Sequence, residues 1–264
     1  ILIMGKRSRS GSSRSGKQSD AGQSTGGTSQ ETPPTQQQQN TATSSTTDAF
    51  LPSMIVFDLD DCLWHPEMHE LPGKPTIAVE GPLDPQNPAT SALGSVGVRV
   101  PSNRRGGGFS WGGINGDDDD DDGSCVYLYD GARLVLRDLA LDPKYSNVQL
   151  AAASSSLEPS YSRACLQQLE IVPDVTLHSM LTFQQIGRTG KLTSRKTTHF
   201  RELQMESNVP YEEMLFFDDC NWGDHVGDLE RSCGVVGQRT PNGLTLEQFH
   251  QGLRKYQAAA KKRL

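Results

Sequence analysis

Two carboxylates one residue apart, Asp58 and Asp60, follow directly on four apolar residues, Met54-Ile55-Val56-Phe57. Acid at the end of an apolar run is costly to desolvate unless a cation or a reaction uses it. Taken alone, the pair reads equally well as a solvated strand end. Three further features follow in order along the chain. A hydroxyl, Ser154, closes the apolar run 148–153; a lysine, Lys196, opens a helical pattern; a paired acid, Asp218-Asp219, closes Met214-Leu215-Phe216-Phe217. Together they supply what displacement at a phosphate needs: a nucleophile, a proton donor, carboxylates for a metal, and positive or donor groups around the transferring oxygens. Hard carboxylate and phosphate oxygens suit Mg²⁺, which keeps several of its waters.

These residues need elements to carry them. Residues 54–57, 148–153 and 214–217 are short apolar runs ending in polar residues, the pattern of buried strands. Residues 131–141, a segment from Pro159, and residues 196–205 and 226–233 alternate apolar and charged positions with helical spacing, and Gly234 stops the last of them. Val235-Val236 makes a fourth strand, and Thr245 with Gln248 forms a capping box for a final helix carrying Leu246, Phe249, Leu253 and Tyr256. Strands alternating with helices imply an α/β fold with a Rossmann-like parallel sheet and right-handed crossovers. Ligands bind such sheets beyond the carboxyl ends of the strands, where Asp58, Ser154 and Asp218 are expected to converge.

The segments Phe57-Asp58-Leu59-Asp60-Asp61-Cys62-Leu63-Trp64, Ala153-Ser154, Ser194-Arg195-Lys196-Thr197-Thr198-His199-Phe200 and Met214-Leu215-Phe216-Phe217-Asp218-Asp219 resemble the haloacid-dehalogenase-like superfamily, and within it the magnesium-dependent phosphatase group. The resemblance runs from about Met54 to Tyr256. It implies a fold without a large cap domain, with residues 63 to about 82 as a hairpin flap. It implies hydrolysis of phosphate monoesters, from phosphotyrosine or phosphosugars, through an aspartyl phosphate. Asp58 would be the nucleophile and Asp60 the acid/base. Mg²⁺ would be held by Asp58, the backbone carbonyl of Asp60 and Asp219, with Asp218 as substitute or partner. Ser154 and Lys196 would hold the phosphoryl group, with Leu59 and Ser155 adding backbone or local contacts.

Three positions depart from the family's pattern. Cys62 stands where Thr or Val is usual, Ser155 where relatives often carry Arg, and the usual Asn after the paired acids is matched by either Asn221 or Asp224. His199, three residues after Lys196, reads as a hydrogen-bonding residue and not as a ligand. The competing readings are a catalytically silent phosphate-binding scaffold and a carboxy-terminal-domain-type protein serine phosphatase, which shares the Asp-x-Asp start.

Composition bounds the rest. Of 264 residues 34% are hydrophobic, and the deficit sits in two stretches. Residues 1–50 are rich in Ser, Thr, Gln and Gly, and an insert at about 73–124 holds Gly clusters and six consecutive aspartates, 117–122; both read as disordered. That leaves one phosphatase domain over 51–258 and a basic tail at 259–264. The formal charge of −7 reflects the aspartate run and says little about partners. The expected partner is a phosphorylated small molecule or phosphoprotein; no nucleic acid, no membrane and a monomeric state are expected. Five scattered cysteines without a Cys-x-x-Cys read as reduced thiols and a cytoplasmic chain. The alternative is an organelle signal in a Ser/Arg-rich segment starting at Met4.

Overall fold

Met54–Phe57 is buried on both sides, and it forms strand β1 at the centre of a sheet. The computed structural model describes residues 50–101 and 124–264. After β1 come β2 (Trp64–His65), β3 (Ile77–Pro82), β4 (Leu93–Arg99) and β5 (Cys125–Leu128). Helix α1 (Asp130–Leu141) and β6 (Gln149–Ser154) follow, then α2 (Pro159–Gln168), β7 (Glu170–Val172), β8 (Val175–Thr176), the one-turn α3 (Leu177–Met180) and β9 (Phe183–Ile186). The chain closes with α4 (Lys196–Ser207), β10 (Met214–Asp218), α5 (His225–Cys233), β11 (Val236–Arg239) and α6 (Leu246–Arg263).

Five strands form a parallel sheet in the order β11-β10-β1-β6-β9. Alternate residues of β1 face opposite sides. Ile55 and Phe57 pack in one cluster with Val135 and Leu136 of α1 and Phe249 of α6. Met54 and Val56 pack in another with Phe200 and Leu203 of α4 and Val226 and Leu229 of α5. The sheet is therefore sealed on both faces, which is why its strands read as continuous apolar runs. The expected Rossmann-like α/β architecture is the one observed. From β1 the chain builds outward through β6 and β9, and α4 then returns it to the other side of β1. That reversal puts a crevice at the carboxyl ends of β1 and β10.

The expected hairpin flap is corrected. Residues 63–82 contribute β2 and β3, which do not pair with each other. They lie at opposite edges of a four-stranded antiparallel sheet, β2-β5-β4-β3. The expected disordered insert at 73–124 is corrected over its first half, since β3 and β4 lie inside it. The short runs Ile77-Ala78-Val79 and Val96-Gly97-Val98 were averaged away by surrounding Pro, Gly and Ser; Val98 and Val126 nonetheless reach the core. Arg133, buried in α1, ties this sheet down by donating to the carbonyls of Val96 and Glu170. The expected basic tail is corrected too, because α6 continues to Arg263. Ala258-Ala259-Ala260 favour helix, and Lys261, Lys262 and Arg263 suit the negative end of its dipole. The expectations for residues 1–49 and for the aspartate run fall outside the described residues. No helix among the described residues is long and apolar enough to cross a membrane.

Candidate active site

Asp58 is the first residue past β1, and its N–H donates to the Phe217 carbonyl of β10. Asp218 ends β10 and Asp219 follows it, so the registration of the two strands places all three carboxylates at one sheet edge. They are buried, and each offers an oxygen within 4.8 Å of the others. Lys196, at the first position of α4 and 1% exposed, reaches them from the side. Its Nζ lies 2.6 Å from Asp58 Oδ1, 3.3 Å from Asp218 Oδ2 and 2.7 Å from the Ala153 carbonyl. Burial alone would lower the lysine pKa, but Asp58 and Asp218 outweigh it and hold the ammonium charged. Burial also pushes Asp58 up, and the neighbouring Asp218 and Asp219 add to that against the pull of Lys196. Asp219 is raised by the same cause, desolvation first.

Three buried carboxylates against one ammonium are undercompensated. Asp218 Oδ2, for all its nearness to Lys196, accepts no hydrogen bond among the described residues. An all-oxygen donor set of this kind fits a small hard dication, so the residues present match the cation implied by the resemblance. Two tight turns build the far wall: Asp218 Oδ1 accepts from Cys220 N–H and Asp219 Oδ2 from Asn221 N–H, both at 2.8 Å. Cys220 takes the left-handed φ of 59° that these turns require.

Asp60 stands apart from that cluster. Its Oδ1 accepts the indole N–H of buried Trp64 at 2.8 Å, and the Ser156 hydroxyl donates to the same carboxylate. Burial raises its pKa to about 6, with both donors acting to lower it. A carboxyl poised near 6 can hold a proton for a leaving group and later take one from water. Trp64 and Ser156 were not singled out from the sequence. Trp64 lies one turn of chain beyond Asp60, where Asp61 N–H bonds the Trp64 carbonyl and closes the loop.

The sequence-predicted substrate contacts are placed as follows. Leu59 is buried and its N–H donates to Asp58 Oδ1 at 2.8 Å, fixing the carboxylate's orientation. Ser154 is 1% exposed at the end of β6, and its hydroxyl accepts from Ser156 N–H at 3.2 Å. Ser155 and Ser154 both line the cleft above Asp58. His199 is buried, with Nε2 lying 3.1 Å from the Ser154 carbonyl and 3.0 Å from that of Gly187. Nδ1 also faces a carbonyl, that of Arg195, at 3.3 Å, and the two closer contacts favour the proton on Nε2; burial, with Lys196 nearby, lowers the pKa to about 4 and keeps the ring neutral. This bears out a hydrogen-bonding His199.

Of the two residues competing for the outer metal position, Asp224 is occupied elsewhere. It caps α5 by accepting from Gly227 N–H and pairs with Arg231 and Arg239. Asn221 stays beside the acids, bonded to Asp219 through its backbone and to Asp61 through its amide. Cys62 is buried, contacts the Phe217 carbonyl and accepts from Thr240 Oγ1, so a thiol fills the position as a small packing group.

The cleft holds about 170 Å³ and is lined by Asp58, Asp60, Ser154, Ser155, Ser156 and Asp219 below. Glu67, His69, Leu157, Arg188 and Trp222 form its mouth. The Trp222 indole N–H donates to Glu67 Oε1 at 2.8 Å, and Glu67 also meets His69 Nδ1 at 3.0 Å. These mouth residues come from four connections, β2–β3, β6–α2, β9–α4 and β10–α5, which sequence spacing gave no means to join.

A family model described as Acid Phosphatase matches residues 114–259, more than half of the chain. The matched span includes Ser154, Lys196, Asp218 and Asp219 and leaves Asp58 and Asp60 outside. A HAD-like hydrolase superfamily protein of Schizosaccharomyces pombe is 28% identical over 97 residues, 37% of this chain and 53% of that protein. Magnesium-dependent phosphatase 1 of Homo sapiens is 34% identical over 64 residues, 24% of this chain and 35% of that protein. The chain thus spans about half or less of the length of these relatives. The N-terminal part of the protein BF1531 from Bacteroides fragilis, containing a phosphatase domain complexed with Mg, covers 79% of this chain and 40% of its own. Its identity is 10% and its TM-score 0.38, too low to bear on any detail of the site.

Proposed function

Because this chain belongs to the acid phosphatase family, we propose that it is a magnesium-dependent phosphatase acting on phosphate monoesters with Asp58 as nucleophile. The observation that carries the reading is the Asp58–Lys196 contact at 2.6 Å beside the buried carboxylates of Asp218 and Asp219. The human relative's name carries the same metal dependence. Asp58, Asp218 and Asp219 would hold Mg²⁺, with the Asp60 carbonyl completing the set. The bound dication would neutralise charge between the nucleophile and the phosphate and so let two anions approach.

In this reading the chain's own residues divide the work. Leu59 N–H and Lys196 orient the Asp58 carboxylate, and Ser154 donates to a phosphoryl oxygen. An Asp58 oxygen bonds phosphorus as the ester oxygen leaves, and Asp60 gives that oxygen its proton. The product is an aspartyl phosphate. Asp60, now a carboxylate, takes a proton from water as the water oxygen attacks phosphorus and releases Asp58 and inorganic phosphate. A nucleophilic carboxylate divides a very high barrier into two lower ones.

The chemistry of the cleft's mouth favours phosphotyrosine among the candidate substrates. A cleft of about 170 Å³ has room for a phosphoryl group and part of the group that carries it, since a cavity of about 150 Å³ can hold benzene. Trp222 is 74% exposed and Leu157 58% exposed at the mouth, an apolar frame suited to an aryl ring. Phosphotyrosine on a protein fits that frame better than a phosphosugar. The test is phosphate release with Mg²⁺ from phosphotyrosine peptides, phosphosugars and p-nitrophenyl phosphate, by the native chain and by Asp58→Asn. Release that requires both Mg²⁺ and Asp58 supports the mechanism. Release surviving Asp58→Asn and chelation sinks it, and no release from any substrate favours a silent scaffold.

A further inference from the structure

Resting on the phosphatase reading above, we propose that Arg188 is a substrate-contacting residue that clamps the phosphoryl group from the rim of the cleft. Arg188 is the second residue beyond β9, after Gly187. Gly187 adopts φ +107°, and any Cβ there would stand 3.1 Å from the Pro159 side chain. The turn is pinned on both sides, since Gly187 N–H donates to the Ser154 carbonyl at 2.8 Å and its own carbonyl faces His199 Nε2. The chain therefore leaves the sheet beside the phosphate-binding serine in a fixed direction. Arg188 Nε then donates to the Ser155 carbonyl at 2.6 Å, which anchors the guanidinium over the same loop.

That anchor uses one of the five N–H donors of the fork. Among the described residues no carboxylate pairs with Arg188, although Asp58, Asp60, Glu67 and Asp219 all line the same cleft. Lys196 cannot take the role alone, since its Nζ is already held by Asp58 at 2.6 Å and the Ala153 carbonyl at 2.7 Å, with Asp218 drawing on the same charge from 3.3 Å. Arg188 is thus the arginine or lysine on the cleft's lining with donors to spare. A phosphoryl dianion entering an acid-lined cleft meets repulsion from every carboxylate there. A planar fork with two free amino groups matches two phosphate oxygens at once. Arg188 has that capacity at the rim of the cleft.

The competing role is purely structural: Arg188 would only brace the Ser155 loop. Three variants of the full chain separate the two. Arg188→Gln keeps a donor for the Ser155 carbonyl and loses the charge. Arg188→Ala loses both, and Arg188→Lys keeps the charge without the fork. Inorganic phosphate binding is measured by calorimetry with Mg²⁺ present, and KM and kcat with p-nitrophenyl phosphate. A clamp predicts that Arg188→Gln and Arg188→Ala both weaken phosphate binding and raise KM, on the order of tenfold for one charge-assisted contact at an exposed rim. kcat should change less, and Arg188→Lys should fall between them and the native chain. Arg188→Gln binding phosphate as the native chain does would overturn the proposal, as would a native chain that does not bind phosphate. Arg188-dependent phosphate binding without turnover of any ester would leave the clamp standing and remove the phosphatase reading instead.

Discussion

The Lys196 ammonium and the Asp58 carboxylate meet at 2.6 Å although they come from elements 138 residues apart in sequence. Lys196 does this from the first position of α4, where the helix dipole disfavours a cation. Burial disfavours it again. What outweighs both is the acid cluster, so the lysine is held by the site and the site by the lysine.

Removing that cation leaves the acids buried and uncompensated. Lys196→Met, similar in length and without charge, is expected to lower stability at neutral pH by about 3–5 kcal/mol in metal-free buffer, the cost of breaking a buried pair from one side. Chemical denaturation with chelator present measures it. A loss below about 1 kcal/mol would mean that the carboxylates protonate readily and that the pair is not what holds α4 to the sheet.

How much of this was legible follows from what each residue depends on. Asp58, Ser154 and Asp218 were legible because each ends an apolar run, and a parallel sheet brings such ends together. Lys196 was legible as a cation opening a helix that returns to the sheet. Arg188, Trp222 and Glu67 were not, since their roles depend on loop paths that no periodicity encodes. β3 and β4 were hidden for a related reason. Their apolar residues are few, and no residue of Ile77–Pro82 is fully buried, so composition outvoted pattern.

Metal binding should reverse the effect of one acid. Burial and Asp218 raise the pKa of Asp219, so its ionised form destabilises the metal-free fold; that cost is absent below the unfolded pKa, grows as pH rises toward the folded one and is complete above it. Asp219→Asn is therefore expected to be more stable than the native chain in chelator at pH 7. With Mg²⁺ added the order should invert, since the native chain gains about 2.7 kcal/mol at a hundredfold excess over Kd and the variant much less. Thermal unfolding with and without Mg²⁺ reads both. Equal Mg²⁺-induced shifts in the two proteins would exclude Asp219 as a ligand.

His199 gives a pH signature free of the metal. Its folded pKa is about 4 against 6.5 for the free side chain, so the unfolded chain takes up the proton first. Stability from this group is complete above pH 6.5 and falls as pH drops toward 4, by about 3 kcal/mol in all. Asp60, raised from 3.8 to about 6, contributes the opposite slope over much of that window. Comparing the native chain with His199→Gln cancels the Asp60 term. The variant is expected to lose stability at pH 7 and to show a shallower decline between pH 6.5 and 4; parallel curves would place the neutral imidazole elsewhere.

Trp64 sets the acid that the proposed mechanism needs. Its indole N–H bonds the ionised form of Asp60 at 2.8 Å and so lowers the carboxyl pKa against the upward pull of burial. Trp64→Phe keeps most of the buried ring and removes the donor. The Asp60 pKa should then rise above about 6, leaving the proton in place at higher pH. Phosphate release should accordingly lose its alkaline limb later, with the falling side of the kcat/KM profile displaced upward in pH. A displacement downward would show that Trp64 stabilises the protonated acid, and an unchanged profile that a group other than Asp60 delivers the proton to the leaving oxygen.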